Sequence, residues 1–325
     1  MRLGGKARFV QEIGEVDQVI LSYNFAEMND LPVFVLGSGS NIIGRDEGYD
    51  GLVLVSRLKG LEKVTEDSES VTIKAYSGEL LDDVCAYAAE CGYSGIEAMS
   101  GIPGTIGAAP VQNVGAYGQE ISNTLTMVEV YDSSIRRVCE LSREECAFGY
   151  RKSVFNSSEK GRYFIISVTL KLSKDDLTPP FYRTLQDYFD KHEITDYSPL
   201  SVRKAVLAVR GSKLPDPKVI ASAGSFFKNI EVSNEKAEEL KARFPGIHIF
   251  NNGEVNKVSS GWLIENARLK GAEFFGMRVS DTAALILINE SAGSYEDLAK
   301  ARQMIIGTIE EKFGITLEQE PVELK

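Results

Sequence analysis

The chain has 325 residues and a formal net charge of −11, with 43% hydrophobic and 26% charged residues. This length exceeds a typical single core, so we expect two or three domains of a soluble globular protein. The excess of negative charge argues against nucleic acid or an anionic membrane as a partner. The first ten residues lack the apolar run of a signal peptide, and the most continuous apolar run, Ala283–Ile288, is too short to cross a bilayer. We therefore expect a cytoplasmic protein.

The cysteines and histidines give no metal-binding or disulfide pattern. The four cysteines have no CxxC spacing and lie within periodic segments, so we expect reduced thiols in the core. The cysteines are Cys85, Cys91, Cys139 and Cys146. The chain has two histidines, His192 and His248, and neither lies in a metal-binding motif, so we expect no metal.

The first third of the chain predicts alternating helices and strands. Apolar residues at helical spacing predict a helix that includes Val16 and Tyr23, and Pro32 precedes the apolar strand Val33–Leu36. The further elements predicted in this third are strands around Leu52–Ser56 and Val71–Ala75 and a helix over Leu81–Ala88 that stops at Gly92.

A glycine-rich pentapeptide, Gly37–Asn41, directly follows the strand Val33–Leu36. Its N–H and hydroxyl donors suit a pyrophosphate, although glycines are also common in ordinary strand turns. The pattern is not G-x-G-x-x-G before a helix, and the chain has no GK[ST], so a Rossmann dinucleotide unit or a P-loop NTPase is disfavoured.

The stretch Met99–Glu120, MSGIPGTIGAAPVQNVGAYGQE, is the most informative part of the chain, and we name it the glycine ribbon. Glycine allows positive φ and close approach of another atom, while proline stiffens the path. The alternation favours a rigid ribbon whose N–H groups face a large flat ligand or its phosphates, rather than a series of tight turns or a flexible linker. Two glycine-rich segments in one chain favour a cofactor such as FAD, which has a diphosphate and a broad ring.

The remaining elements are predicted from turns, caps and periodicity. They are a hairpin of Leu125–Tyr131 and Arg137–Leu141, a strand over Phe164–Leu172, helical segments in 179–212 before the turn Lys213–Pro217, a helix capped by Ser233 that runs through Phe244, and a final helix capped by Ser294 that stops at Gly314.

Several motifs together resemble one family, the UDP-N-acetylenolpyruvoylglucosamine reductases, over nearly the whole chain. They are, in order, Gly37–Asn41 followed by Gly51-Leu52, SGIPGTIGAAPVQNVGAYGQE, Gly149–Ser153, KLPDP, AGSFFKN and LEQE. The resemblance implies an α+β protein with a two-part FAD-binding fold of the vanillyl-alcohol-oxidase/PCMH type and a C-terminal α+β substrate-binding domain. We expect subdomains at 1–65 and 66–212 and the substrate domain at 213–325. The resemblance also implies the subclass with a tyrosine-bearing loop.

The family's activity is the NADPH-dependent reduction of UDP-N-acetylglucosamine enolpyruvate to UDP-N-acetylmuramate, in peptidoglycan synthesis and hence cell wall biogenesis, cell shape and cell division. Neither histidine lies in a glycine-rich segment, so we expect FAD to be held non-covalently. We also expect a monomer.

Three residues are expected to be catalytic. Reduction of the enolpyruvyl group places negative charge on the substrate carboxylate, and Arg151, in the polar turn GYRKS, could bind it bidentately, although it could also be a surface arginine. The resemblance implies that Ser225 donates the proton, where the alternative is a turn or cap serine. It implies an assisting role for Glu320, with Glu318 as the alternative, because Pro321 follows Glu320 where the family usually has valine.

The resemblance also implies cofactor and substrate contacts. The expected cofactor-binding residues are Gly37, Ser38, Gly39, Ser40, Asn41, Ser100, Gly101, Ile102, Pro103, Gly104, Gly107, Gly115, Ala116 and Tyr117. The expected substrate-binding residues are Tyr182, Lys213 and Asn229, with Tyr188 and Tyr197 as rivals of Tyr182.

Two departures from the family pattern lead to further expectations. The opening Met1-Arg2-Leu3-Gly4-Gly5 differs from the usual family start, so one FAD-contacting segment could be shortened. The chain ends soon after Glu320, so we expect no returning C-terminal strand to the first domain. Two rival functions stay open: another FAD-dependent oxidoreductase of the same fold, such as a sugar or alcohol oxidase, and a non-enzymatic protein that binds a nucleotide sugar.

Overall fold

The computed structural model describes residues 1–216, 219–251 and 255–325. The α-helices are α1 (Val16–Met28), α2 (Leu81–Glu90), α3 (Arg183–Lys191), α4 (Pro199–Lys213), α5 (Asn234–Arg243), α6 (Ser260–Asn266) and α7 (Tyr295–Phe313). The strands are β1 (Ala7–Ile13), β2 (Val33–Leu36), β3 (Ile42–Gly44), β4 (Tyr49–Ser56), β5 (Leu61–Glu66), β6 (Ser70–Tyr76), β7 (Gly115–Ala116), β8 (Gln119–Glu120), β9 (Leu125–Asp132), β10 (Arg137–Ser142), β11 (Tyr163–Ser173), β12 (Ser222–Ser225), β13 (Ile230–Val232), β14 (Ile249–Asn251), β15 (Asn256–Val258), β16 (Glu273–Phe274), β17 (Met277–Val279), β18 (Ile286–Asn289) and β19 (Val322–Leu324).

The chain divides into two compact units. The N-terminal unit consists of residues 7–39 and 50–212, and the C-terminal unit consists of residues 1–6, 40–49 and 213–325. The segment 40–49 therefore belongs with the C-terminal unit, which the sequence analysis does not foresee. The three-part division at 65 and 212 stays a prediction.

The N-terminal unit contains two larger sheets and the two-stranded sheet β7-β8. The first has the order β1-β4-β2, with β2 parallel to β4, and α1 packs its buried residues Val19 and Ala26 into the same core. The helix begins at a capping box in which the Gln18 amide oxygen accepts from the N–H of Glu15 (3.1 Å). The predicted helix and strands are confirmed, and α1 continues five residues past Tyr23 to Met28.

The second sheet of this unit is antiparallel in the order β10-β9-β11-β6-β5. The predicted hairpin is confirmed: β9 and β10 pair from Asp132↔Arg137 onward. Arg162 binds the buried Asp132 carboxylate through two nitrogens at 2.9 and 2.6 Å. This guanidinium holds the pKa of Asp132 well below its usual range. The buried charge is thus paired at the point where the hairpin meets β11.

The C-terminal unit contains the sheet β12-β18-β17-β16, the sheet β13-β15-β14 and the parallel pair β19-β3. The helix α7 begins at Ser294, whose Oγ accepts from the N–H of Asp297 (3.1 Å), and ends at Gly314 in the left-handed region (φ +66°). Both predicted helix ends are confirmed. The apolar face of α7 is buried in the core together with Phe226 and Phe227.

The expectation of no returning C-terminal strand is wrong. Val322–Leu324 forms β19, which pairs in parallel with β3, residues 42–44 of the expected first domain. Five residues after Glu320 suffice, because the pairing begins at Val322, whose N–H donates to the carbonyl of Asn41 (2.9 Å). The short tail therefore completes a two-stranded sheet.

The expectation that all four cysteines lie in the core is wrong for Cys91, whereas the half-buried Cys139 packs against the core. All four are free thiols, and Cys85 and Cys146 are buried, but Cys91 is exposed and Cys139 is half-buried. Cys91 follows the last residue of α2, where the helix reaches the surface. In the described part of the chain, no helix has both the length and the apolar character needed to cross a membrane.

Candidate active site

The glycine ribbon lies in the N-terminal unit and is closely packed at several of its glycines. It includes two short 3₁₀ turns, Ile106–Ala108 and Pro110–Gln112. Gly107 lies directly on Ser77: a Cβ added to Gly107 would lie 2.3 Å from the Ser77 Cβ, a contact that real side chains do not make. Glycine is required at this position because no space exists for a side chain.

The two glycine-rich segments of the sequence meet at Thr105. A Cβ added to Gly37 would lie 2.7 Å from the Oγ1 of Thr105, so the end of β2 packs directly against the ribbon. Gly39 has a left-handed backbone (φ +71°) and its surroundings are more open. Gly37 and the ribbon therefore lie together in the fold. Ser40 and Asn41 already belong to the segment that clusters with the C-terminal unit.

Two hydroxyl groups on the ribbon fit a bound cofactor. Ser100 and Thr105 are 0% and 4% exposed, and their side-chain oxygens have no hydrogen-bond partner among the described residues. A buried hydroxyl without a partner is energetically unfavourable, so these two oxygens suit a ligand with polar groups along its length. FAD has such groups. Ser100 was expected at this site. Thr105 was not, although its position in the ribbon was a usable signal.

Two arginines of α4 bind to Gly101 of the ribbon, one through Asp82 and one directly. The Gly101 N–H donates to Asp82 Oδ1 (2.7 Å), and the same oxygen accepts from Arg203 of α4. Burial opposes ionisation of Asp82, but the hydrogen bonds from Arg203 and Gly101 outweigh it and lower the pKa of this carboxyl. Arg210, about two helical turns after Arg203 on the same face of α4, donates to the Gly101 carbonyl (3.2 Å). The positions of both arginines were not predicted from the sequence.

Arg151 lies against the ribbon, as its proposed role requires. Its backbone is left-handed (φ +51°), and its guanidinium donates to the carbonyls of Asn113 (3.5 Å) and Gly115 (3.2 Å). Asn113 is itself buried and donates to Glu120 Oε2 (2.7 Å), which closes the ribbon on itself. These contacts place Arg151 beside the ribbon, and its catalytic role stays a prediction.

Among the candidate tyrosines, Tyr182 contacts the ribbon. Its ring meets that of Tyr117 edge-on, with centroids 5.9 Å apart, and 42% of Tyr182 is exposed. Tyr197 instead packs on Phe189 (5.3 Å) within the helical cluster of α3 and α4. Tyr188 stacks on His192 at 4.3 Å. This placement favours Tyr182, whose role stays a prediction.

The C-terminal unit brings Ser225 and Glu320 close in the fold. Ser225 ends β12, half-buried, opposite Ile286 of β18. The N–H of Glu320 donates to the carbonyl of Phe226, the residue after Ser225, at 2.9 Å. Two positions 95 residues apart in the sequence thus become neighbours through one backbone hydrogen bond. The side chain of the alternative, Glu318, is 70% exposed, whereas Glu320 is half-buried, which favours Glu320.

The other expected substrate residues have the following contacts. Lys213 is exposed at the end of α4, and its carbonyl accepts from Thr282 Oγ1 (3.0 Å). Asn229 Oδ1 accepts from the N–H of Ser260 (3.2 Å) at the start of α6, a structural role that the sequence did not indicate. Pro217, the last residue of the KLPDP turn, lies outside the described residues. Within those residues, no group of three or more His, Cys, Asp or Glu side chains could hold a metal ion.

Comparisons with known proteins cover both units. Residues 7–134 match the FAD binding domain family, and residues 216–324 match the family described as UDP-N-acetylenolpyruvoylglucosamine reductase, C-terminal domain. These matches, with the mixture of helices and strands, confirm the expected α+β class with an FAD-binding fold followed by a C-terminal domain.

Relatives with the same name match over nearly the whole chain. UDP-N-acetylenolpyruvoylglucosamine reductase of Alcanivorax borkumensis is 39% identical over 94% of this chain and 87% of its own length. The protein of the same name from Vibrio vulnificus is 37% identical over 97% of this chain and 89% of its own. The crystal structure of UDP-N-acetylenolpyruvylglucosamine reductase from Thermus caldophilus is 25% identical, covers 97% of this chain and 92% of that one, and has a TM-score of 0.64. The chain therefore belongs to the UDP-N-acetylenolpyruvoylglucosamine reductase family.

Proposed function

We propose that this protein is an FAD-dependent UDP-N-acetylenolpyruvoylglucosamine reductase that forms UDP-N-acetylmuramate, with NADPH as the hydride donor. One observation carries the proposal: a chain that is 39% identical to a reductase of this name over 94% of its length also has a glycine ribbon with buried hydroxyl donors. The rival oxidase and the non-enzymatic binding protein are not favoured, because the relatives that match nearly the whole chain carry the name of this reductase.

The ribbon and the loop after β2 would hold the cofactor. Ser100 and Thr105 offer buried hydroxyl donors, and Gly37 allows the loop to lie against Thr105. FAD, when bound, would supply the redox chemistry that links NADPH to the substrate alkene. The chain itself must then bind the enolpyruvyl group, stabilise the charge that develops on it and deliver a proton.

Arg151 is proposed to bind the substrate carboxylate. Hydride addition at the terminal alkene carbon places negative charge on the neighbouring carbon and, by conjugation, on the carboxylate, so a fixed cation at that carboxylate lowers the barrier. The carbonyls of Asn113 and Gly115 hold the guanidinium in place before substrate arrives. A guanidinium also stays charged over the working pH range.

Ser225 is proposed to donate its Oγ proton to the carbon that bears the carboxylate. An enolate is basic enough to take a proton from a hydroxyl, and Glu320 is proposed to orient that delivery. What supports this pairing is the hydrogen bond between the Glu320 N–H and the carbonyl of Phe226, which fixes the two segments side by side. Tyr182, Lys213 and Asn229 are proposed to contact the rest of the substrate.

The same proposal extends to the biology of the protein. We propose that it acts in the cytoplasm as a monomer. We also propose that the chain consists of the FAD-binding subdomains 1–65 and 66–212 and the substrate domain 213–325. Its product serves peptidoglycan synthesis, and thereby cell wall biogenesis, cell shape and cell division.

The half-reactions, observed separately, test the function. Under anaerobic conditions NADPH should bleach the flavin absorbance of the purified protein, and UDP-N-acetylglucosamine enolpyruvate should then restore it. Ser225→Ala should leave the first step unchanged and slow the second, while Ser222→Ala, on the same strand, should affect neither. Rapid reoxidation by oxygen without any response to the enolpyruvyl substrate would instead indicate an oxidase, and an equal loss of both steps in Ser225→Ala would make this serine structural.

A further inference from the structure

One guanidinium in the C-terminal unit contacts residues on both sides of Glu320. Arg302, on α7, donates from Nη1 to Gln319 Oε1 at 2.6 Å and to Glu323 Oε1 at 2.7 Å. Gln319 directly precedes Glu320, and Glu323 lies three residues after it. The Arg302 side chain is 21% exposed, so water competes only partly for these contacts.

The two acceptors of Arg302 are fixed by further contacts. The Gln319 Nε2 donates to the carbonyl of Pro321 (2.7 Å). The Gln319 side chain therefore links Arg302 of α7 to the C-terminal tail, residues 319–325. The Glu323 carboxylate also accepts from Tyr295 (2.6 Å) and pairs with Arg45 (2.9 Å). Burial opposes ionisation of Glu323, but the hydrogen bonds from its three partners outweigh it and lower its pKa to about 2.

The backbone on both sides of Glu320 is also paired. Before it, Gln319 forms an antiparallel bridge with Phe227. After it, Val322 begins β19 and its pairing with β3. Glu320 and Pro321 lie between this isolated bridge and the β19-β3 pair, so the direction of the Glu320 side chain depends on how the backbone turns between them. Arg302 contacts the tail at both ends of that turn.

We infer that Arg302 is a positioning residue that fixes Glu320 for proton delivery by holding Gln319 and Glu323 together. This inference rests on the proposed function, because it assigns Arg302 a role only in the step that uses Glu320. A planar guanidinium suits the task, since it offers several N–H groups in one fixed fork, whereas a lysine is a point charge on a flexible stem. The residue acts through Glu320 and is not itself in contact with the reacting atoms.

The test compares Arg302→Met, Arg302→Lys and Gln319→Leu in the two half-reactions. Gln319→Leu removes one acceptor and keeps the pair of Arg302 with Glu323, which guards against a variant that fails to fold. Arg278→Met is the matched control, because Arg278 is 23% exposed and also binds two carboxylates in the same unit. Flavin absorbance and thermal unfolding confirm that each variant is folded and loaded.

Reoxidation of the reduced protein by the enolpyruvyl substrate should slow on the order of 10- to 100-fold in Arg302→Met, as expected for a misplaced catalytic group. Reduction by NADPH should stay within about twofold, and Arg302→Lys should recover little. In a Glu320→Gln background the further effect of Arg302→Met should vanish, since both changes would remove the same contribution.

The outcomes separate this inference from the proposed function. If the wild-type protein is not reoxidised by the enolpyruvyl substrate, the function itself is wrong. If the wild type is reoxidised but Arg302→Met and Glu320→Gln have additive effects, or Arg278→Met slows reoxidation equally, Arg302 contributes only to stability. Unchanged reoxidation in Gln319→Leu and Arg302→Met would likewise overturn the inference.

Discussion

Removal of the buried hydroxyl of Thr105 should have opposite effects on the stability of the free protein and on the binding of FAD. Its Oγ1 has no partner among the described residues, and Thr105 is 4% exposed. Thr105→Val replaces this hydroxyl by a methyl group of similar size. The variant should therefore stabilise the apoprotein and weaken FAD binding.

The magnitudes follow from the two states of the hydroxyl. A buried hydroxyl without a partner costs about 1–3 kcal/mol, so its removal should raise the free energy of unfolding of the apoprotein by on the order of 1 kcal/mol. A hydrogen bond from the same hydroxyl to a charged group of FAD contributes about 1.5–3 kcal/mol. Its loss corresponds to a Kd for FAD that is roughly 10- to 150-fold higher.

The assay uses apoprotein prepared by removal of the flavin. Urea unfolding gives the stability of the apoprotein, and titration with FAD, followed by quenching of flavin fluorescence, gives the Kd. Thr105→Ser should bind FAD nearly as the wild type does, because it keeps the hydroxyl. Thr124→Val is the control, since Thr124 already donates to the carbonyl of Ile121 (3.4 Å) and its loss should lower apoprotein stability. An unchanged Kd in Thr105→Val would refute the assignment of this hydroxyl to the cofactor.

Two further predictions concern stability. Gly107→Ala would force a Cβ to within 2.3 Å of Ser77, so the variant should lose more than about 2 kcal/mol of unfolding free energy in urea. Gly211→Ala on α4 is the control, because a Cβ there would meet no atom within 4 Å, and it should be neutral or stabilising by up to about 1 kcal/mol. The pKa of Glu323 is lowered to about 2, so the stabilisation that its carboxylate gives the folded protein is fully present above pH 4.5 and is lost as the pH falls towards 2. Glu323→Gln should therefore reduce the loss of unfolding free energy between pH 6 and pH 2.5, measured in urea, by at most about 3 kcal/mol. A loss as steep as that of the wild type would contradict this.

The local elements could be predicted because their signals are local. Ser294 and Gly314 bound α7 through a hydroxyl cap and a left-handed residue, both of which depend on a few neighbouring positions. The hairpin of β9 and β10 likewise depends on one turn. The glycine ribbon was identified for the same reason: its glycines and prolines restrict the backbone wherever the segment lies in the fold.

Contacts between distant segments could not be predicted from the sequence because no local signal encodes them. Nothing around Asp82 or Arg203 indicates that one carboxylate oxygen accepts from both this guanidinium and the N–H of Gly101. The position of Thr105 in the ribbon was a usable signal for a cofactor contact, but its burial was not marked, since a threonine among glycines is equally compatible with an exposed turn. The exposure of Cys91 depends on where α2 ends relative to the surface, which periodicity does not specify.

The failure of the prediction for the tail shows how the fold connects two parts of the proposed site. Asn41 ends the loop expected to hold the cofactor, and its carbonyl accepts from Val322, two residues after Glu320. Arg45 and Glu323, 278 positions apart in the sequence, form an ion pair across the same parallel strands. Because one small sheet carries both segments, a change that loosens β19 should disturb the loop at Asn41 as well as Glu320. Variants of Glu323 are therefore expected to raise the Kd for FAD and to slow reoxidation together, whereas Gln319→Leu, which leaves the strand pairing intact, should slow reoxidation alone.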